Sequence, residues 1–525
     1  MSSEWRRRTA QGPHDSPTPS PPSLRIVSPG LDLSMHCETC VAVIPIGGTT
    51  DEEFAKYFKL ISQHGIVPLS SCRSFYHEES KSPFTALRWD VGHVRYRFLR
   101  GPIARETSIW RDLHAHQRVW AVLGIVHCPS CPGGLEAALE RFEAIVGTFG
   151  GSCVSRLYAF EPGESELDAK YNTDTLIVFP PGQLADTPVS ARSGDSVPPS
   201  PIQVRRDGGL QHHLATMMWD LTARVVMELE AWVLTLSPAM FPLPCSLDHR
   251  LTQDDTPSAR SRAEGDFETR RRLGRMRKHI GDCCLLAGAP RNALEHYSSA
   301  IDLARSTGDG AWVAGVLEGT AAAKVAVALE PVVHDAISRG AGAPGAARWP
   351  LALPPEVFRG VRTDLMVLLP QAKVNFRRKG AWWRSTELDV MLANFVAAAE
   401  TPPGGHSEMV GKDLTLGMEE VAAETTFLTP LDRAILLMEC AGALARCGLV
   451  RKARLAVSMA AGVAPAGGPL HLALRRHLAM GTPVASPWMR LVALPGTNPE
   501  ACRSISRRVH GHVDEMGVMG GVPGR

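Results

Sequence analysis

Residues 275–323 read RMRKHIGDCCLLAGAPRNALEHYSSAIDLARSTGDGAWVAGVLEGTAAA. Apolar side chains recur at helical spacing, and the surrounding sequence divides into helices of ordinary length at 266–287, 290–306 and 309–330. Four residues set the register of a helix pair. Gly281 in the first helix, then Ala293, Tyr297 and Ala300 in the second, stand at the offsets of a tetratricopeptide repeat. Small residues let two helices approach closely, and Tyr297 fills the space between one pair and the next. Alanine at helical spacing also fits a plain helix hairpin, so the register needs support from the rest of the chain.

That support comes from downstream. From Ala263 onward no strand pattern is present, and 356–376, 384–400, 430–446 and 449–462 also read as helices, with Gly/Pro/Ala-rich breaks at 340–355 and 402–406. A weaker copy of the register falls on Ala441, Ala453, Val457 and Ala460. A run of short helices joined by brief turns is the mark of an α-solenoid, here predicted over 263–490.

Upstream the pattern changes. Val41–Ile46, the alternating Val94, Tyr96 and Phe98, the apolar run Val119–Val126, Cys153–Phe160 and Thr175–Phe179 read as strands. Helices at 51–64, closed by Gly65, and at 135–146 are interspersed with them, so 40–181 is predicted to be an α/β domain, a sheet with helices packed on it. Residues 182–209 are a Pro/Ser/Asp/Gly-rich linker or insertion, and 210–262 an amphipathic helix followed by a loop. Residues 1–39 and 491–525 are expected to be disordered. The fold class predicted is therefore an α/β N-terminal domain followed by an all-α tetratricopeptide-like solenoid.

The 525-residue chain has a formal net charge of +2, which argues against a dedicated nucleic-acid binder, and aromatic residues at 6% offer no base-stacking platform. The most apolar stretches, 231–245 and 321–333, are too short or too interrupted to read as membrane spans. Arg6, Arg7 and Arg8 run into Pro, Ser and His rather than an apolar segment, so no signal peptide is expected, and the twelve cysteines are read as thiols of a reducing cytosol.

Two constellations carry possible chemistry. Cys37 and Cys40 precede the first strand, and Cys128 and Cys131 follow a central one. Four thiolates in two such pairs can bind zinc tetrahedrally, with His36 and His127 as further donors. They can share an ion only if the two strands run antiparallel; the competing reading is ordinary loop cysteines. The second constellation is the basic run Arg270, Arg271, Arg272, Arg275, Arg277 and Lys278. It reads either as a solvated helix face or as a patch for an acidic partner or anionic membrane. His212 and His213 are taken as surface residues. No phosphate-binding loop, HExxH or GxSxG is present, so no catalytic residue and no cofactor are expected.

Within 275–323, the elements RMRKH-x-GD-x-C, the following Ala-Gly and the later Trp312 with Leu317-Glu318-Gly319 resemble the subunit-nine family of the TRAPP (trafficking protein particle) complex. Weaker likeness extends over about 40–490, through Val41–Gly47, Val94–Arg97, His116–Cys128 and Ser155–Phe160. The resemblance implies a non-enzymatic scaffold of the second TRAPP assembly, cytoplasmic and peripheral at the Golgi and trans-Golgi network. It implies other TRAPP subunits as partners and a Rab-family GTPase served only indirectly, through the assembled complex. It also implies a C-terminal part rich in β-sandwich domains. No such pattern is read past Trp488, so a truncated form is expected. A tetratricopeptide scaffold or cargo adaptor of another complex, or a zinc or redox protein built on the two CxxC pairs, would account for the residues without the resemblance.

Overall fold

The computed structural model describes residues 31–78, 81–101, 113–149, 153–164, 173–179, 201–241, 262–338, 353–399, 405–424 and 428–480. Residues 1–30 and 491–525, for which disorder is expected, and most of the expected 182–209 linker lie outside these residues.

A single six-stranded sheet opens the fold. Its strands are β1 (Glu38–Pro45), β2 (Ile66–Pro68), β3 (His93–Arg100), β4 (Val119–His127), β5 (Val154–Phe160) and β6 (Leu176–Val178), in the order β2-β3-β1-β4-β5-β6. All neighbours pair in parallel except β2, which joins the edge of β3 antiparallel. A central parallel strand is covered on both faces and therefore reads as an unbroken apolar run. In β4, VWAVLGIVH is buried at all but its two ends.

The period of two sorts the side chains between two cores. Ala42, Ile44, Val122, Leu157 and Ala159 face α2 (Gly134–Val146), which contributes Leu135, Ala138 and Phe142. Gly124 is the contact point, since a Cβ there would lie 2.6 Å from Leu157 and 2.7 Å from the Phe142 ring. Val41, Val43, Leu123, Tyr158 and Phe160 face the other way, toward α1 (Asp51–Ser62) and α3 (Pro201–Thr235). Helix α1 begins at a full capping box between Thr50 and Glu53. Helix α3 starts at Pro201, so the last nine residues of the expected linker are helical.

Nine helices follow among the described residues: α4 (Arg262–Leu286), α5 (Pro290–Ser306), α6 (Gly310–Ser338), α7 (Pro355–Arg378), α8 (Trp382–Ala399), α9 (Gly405–Ala423), α10 (Pro430–Arg446), α11 (Val450–Val463) and α12 (Pro469–Met480). Each packs against the next in sequence, the arrangement of an α-solenoid. Helices α9 and α12 carry no strong sequence signal and were not expected. The turn between α4 and α5 closes on Gly288 at φ +80°, with the Ala289 N–H donating to the Cys284 carbonyl. The same device recurs at Gly448 (φ +77°) between α10 and α11, where Leu449 N–H donates to Leu444. Helix α6 is long and apolar enough to cross a membrane by composition alone. However, 72% of its most apolar window is buried against its neighbours, as befits the core helix of the stack.

Two boundaries differ from the sequence reading. Residues 31–39 are not disordered. Leu31, Leu33, Met35 and Cys37 are buried, and Leu33–Cys37 forms a 3-10 turn capped by Asp32. Nor are the α/β and helical parts separate bodies, because one continuous core runs from β1 through α3 and α4 to α11. The physical reason is common to both. The face of the sheet toward α1 and α3 and the inner faces of the first solenoid helices are apolar, and they share one core among the described residues.

Tyr297 shows how tightly the first helix pair closes. Its ring lies between Gly281 of α4 and Gly319 of α6, where added Cβ atoms would sit 2.6 and 2.7 Å from it, and its hydroxyl donates to Asp282 at 2.7 Å. Ala293 and Ala300 on α5 are fully buried beside it. A Gly319→Val substitution is therefore expected to overpack this site and lower unfolding free energy by about 1–3 kcal/mol in urea titration. Substitution at the exposed Gly265, where a Cβ meets nothing within 4 Å, leaves the midpoint unchanged.

Candidate functional site

The two segments that lead into β1 and β4, residues 33–37 and 113–117, lie against α4, α6 and α8. Polar side chains meet there that neither half of the protein satisfies alone. Lys278 on α4 is fully buried. Its Nζ donates to Asp282 one turn on (2.6 Å) and to the backbone carbonyl of Leu113, and lies 3.3 Å from His114 Nδ1. Asp282 is in turn shared, accepting from the Ala115 N–H (3.0 Å) and from Tyr297.

Glu318 on α6 is the second centre. Its carboxylate receives Arg384 of α8 at 2.8 and 2.9 Å and His36 Nε2 at 3.0 Å, with His114 Nε2 at 3.5 Å. Arg384 also pairs with Glu387 through its other terminal nitrogen. Burial alone would raise the Glu318 carboxyl, but the Arg384 guanidinium and His36 outweigh it and hold the group down at about 2. Burial pushes Glu387 up to about 7 against the pull of the same guanidinium. His114 has Lys278 beside Nδ1 and Arg384 at 3.0 Å from Nε2, so a protonated ring would set two N–H groups against cations, whereas the neutral ring offers an acceptor to one of them. Burial first, then these cations, keeps His114 well below the ordinary histidine range, and burial with His36 and Arg97 does the same for His116.

A second buried pair flanks the first. Arg275 donates to Asp309 at 2.9 Å beneath Trp312, and Arg271 reaches the same carboxylate. Asn394 of α8 then closes the far side. It donates to the Leu31 carbonyl (2.6 Å) while accepting from Arg446 of α10.

The expected interaction patch is thereby corrected. Arg275 and Lys278 are buried and turned inward, each bonded to a carboxylate of the same chain. Arg271 shares the inner bond, Arg272 pairs with Glu268 on its own helix, and Arg277 lies 3.4 Å from His296. The spacing of charges around α4 could not distinguish these fates, because the inward stripe is set by α5 and by the segments leading into β1 and β4.

The expected zinc set is corrected too. Strands β1 and β4 run parallel, with Cys40 opposite Val119 and Pro45 opposite Ile125. Cys37 and Cys40 therefore lie at the amino edge of the sheet, and Cys128 and Cys131 beyond the carboxyl edge. Cys37 is buried, which pushes its thiol up to about 12, and Cys40 takes an Arg97 N–H at 2.8 Å. Cys131 donates to the Gly134 carbonyl at 3.4 Å.

The metal-ligand grouping that does exist is different. His36, His114 and His116 place ligand nitrogens within 4.8 Å of one another. His114 and His116 were missed, although His114-Ala115-His116 is the kind of alternating pair that could have drawn attention. The trio does not suit a cation. His36 Nε2 and both His114 nitrogens are already engaged, and two buried positive groups stand at contact distance.

In a doubly wound sheet, ligands usually enter at the carboxyl edge where strand order reverses, here between β1 and β4. That crevice is filled by its own loops. A Cβ on Gly48 would lie 2.1 Å from the Ser130 carbonyl, and one on Gly47 3.0 Å from Cys131. Below them Tyr57, His127 and Glu53 are linked in a row, Tyr57 to His127 at 2.9 Å and His127 to Glu53 at 3.0 Å.

Comparison with known proteins follows this geometry. The family model described as Trs120/TRAPPC9, N-terminal domain, matches residues 37–240 and 246–329. A trafficking protein particle complex II-specific subunit 120 homolog of Arabidopsis thaliana is 36% identical over 284 residues, covering 54% of this chain and 21% of its own length. The rice homolog of the same description is 33% identical over 315 residues (59% and 24%). Transport protein particle subunit trs120 of Schizosaccharomyces pombe is 24% identical over 299 residues (51% and 22%). The chain thus spans under a quarter of each of these relatives.

Two outcomes test the junction. Glu318→Gln removes one partner of a buried pair and leaves Arg384 with Glu387 as its remaining carboxylate, so unfolding free energy is expected to drop by about 3 kcal/mol. The loss is accompanied by faster proteolysis near residues 31–37, which Glu318 anchors through His36. Acid sensitivity tests the histidines. Below the ordinary value of 6.5 the unfolded chain binds protons that the buried rings of His114 and His116 refuse. Stability therefore falls as pH drops through that window, by at most about 1.4 kcal/mol per pH unit for each ring. Glu387 acts in the opposite sense between 4.5 and about 7, offsetting one ring. Thermal melts from pH 7.5 to 5.0 should show a decline that is shallower in a His114→Gln, His116→Gln double variant.

Proposed function

Because the chain belongs to the Trs120/TRAPPC9 family, we propose that it is a non-catalytic scaffold subunit of a TRAPP vesicle-tethering complex. The observation that carries this reading is the use to which the matched block is put. Lys278, Asp282, Gly281, Trp312, Glu318 and Gly319 are the residues that lock the sheet onto the first helix pairs. A sheet and a helical stack held in fixed relation offer partners a long surface of constant shape, which is what a scaffold supplies. The filled carboxyl-edge crevice between β1 and β4 accords with a structural role for the sheet.

The names of the plant relatives place those proteins in complex II, which favours the second TRAPP assembly. Its other subunits are then the direct partners. Vesicle tethering at the Golgi and trans-Golgi network, and support of nucleotide exchange on a Rab-family GTPase, are actions of the whole assembly. The chain takes part in them from the cytoplasmic side, by holding subunits in place.

Affinity purification of the tagged full chain, read by mass spectrometry, decides this. Small TRAPP core subunits are expected in stoichiometric yield after stringent washing, and their absence sinks the reading. A Glu318→Gln, Arg384→Ala double variant is expected to lose most of that yield, since the rigid relation of sheet and stack is what the partners would recognise.

A further inference from the structure

The turn between α5 and α6 and the outer face of α7 enclose a groove of about 600 Å³, away from the buried junction. Its floor is apolar, with Ala304, Val313, Pro370 and Val374. On α7, Val367, Pro370 and Val374 follow one another at i, i+3 and i+7, so they form one stripe, and Val367 is 54% and Val374 47% exposed. Bare aliphatic side chains in line on an outer helix face are what an aliphatic segment of another protein would cover.

The rim is basic. Arg305, Arg378 and Lys379 line the groove, and no aspartate or glutamate does. Arg305 is hydrogen-bonded to the neutral Gln371 at 3.3 Å, and none of the three cations makes an ion pair among the described residues. Several basic side chains that bridge neighbouring helices are matched by contrast. Arg275 has Asp309, Lys324 has Asp364, Lys373 has Asp389 and Arg377 has Glu420. The acidic residues nearest Arg305 in sequence do not neutralise the rim: Asp302 is exposed and lies outside the groove lining, and Asp309 is buried and taken by Arg271 and Arg275. The groove is kept open by the absence of side chains at Gly308 and Gly310, where a Cβ at Gly310 would press on Lys379 at 3.2 Å.

We propose that this groove docks a short acidic segment of a partner protein, with aliphatic side chains on the Val367–Val374 stripe and carboxylates against Arg305, Arg378 and Lys379. Unmatched cations around an apolar floor select for that combination, since carboxylates supply steering and register while aliphatic burial supplies affinity. The inference does not depend on which complex the chain serves.

The test uses the full chain and a fluorescent synthetic peptide of about twelve residues alternating Glu or Asp with Leu. Two control peptides carry Gln and Asn for the acids, or Ser for the leucines. Saturable anisotropy is expected with the first peptide only, weakening with salt. It should drop about tenfold or more in an Arg305→Glu, Arg378→Glu, Lys379→Glu variant that keeps the wild-type melt. Should that variant misfold, a benzophenone-bearing peptide on the wild-type chain gives the answer. Cross-links within 304–313 and 367–379 uphold the groove, and cross-links elsewhere overturn it. Binding indifferent to the charge reversal overturns it as well. So does the absence of saturation by the acidic peptide. Two further results reassign the face and overturn the proposal: charge-dependent binding of vesicles containing phosphatidylserine with none of the peptide, or self-association of the chain abolished by the triple reversal.

Discussion

The Glu318 carboxylate is the interaction on which the rest depends. It is fully buried, and water cannot solvate it, so the fold must bring it compensating donors. These come from Arg384, sixty-six residues later in the chain, and His36, far earlier, with His114 alongside. No one of these elements can move without leaving a charge uncovered. A buried pair of this kind contributes less net stability than its Coulomb energy suggests, because desolvation offsets it. Its effect is on specificity: among the many ways an apolar sheet could lie on an apolar helical stack, only one satisfies this carboxylate.

Lys278 and Asp282 repeat the logic one layer away. The lysine reaches across to the Leu113 carbonyl, and the aspartate takes the Ala115 N–H, so backbone groups of the segment leading into β4 find their partners on α4. Tyr297 connects this polar layer to the packing of the helices, since its hydroxyl bonds Asp282 while its ring fills the gap between two glycines. Shape and charge are thus specified by the same few residues. This explains why a block with so many polar positions is largely buried.

A chain built this way differs from a flexible string of domains. The continuous core from β1 to α11 makes the sheet the first layer of the helical stack rather than a module tethered to it. The outer sides of α7 and its neighbours are then held at fixed distances from the sheet, and a surface of fixed shape lowers the ordering cost that a partner would meet.

The sequence by itself determined the elements and their class. Period-two alternation in Val94–Phe98, the unbroken run of β4 and the helical spacing from 266 onward follow from local chemistry, and so does the small–large pattern of Gly281, Ala293, Tyr297 and Ala300. What it left open were long-range questions. Whether β1 and β4 run parallel decides the fate of the CxxC pairs, and that depends on a crossover no local pattern encodes. Whether Arg275 and Lys278 face water or a buried carboxylate depends on what covers α4, and its cover is drawn from residues 113–117 and from α5 and α6. Residues 31–37 looked like the end of a polar tail because their partners, Glu318 and Asn394, lie hundreds of positions away. Periodicity reports which face of an element is apolar. Only the tertiary structure says what lies against that face, and a buried charge acquires its meaning from that neighbour alone.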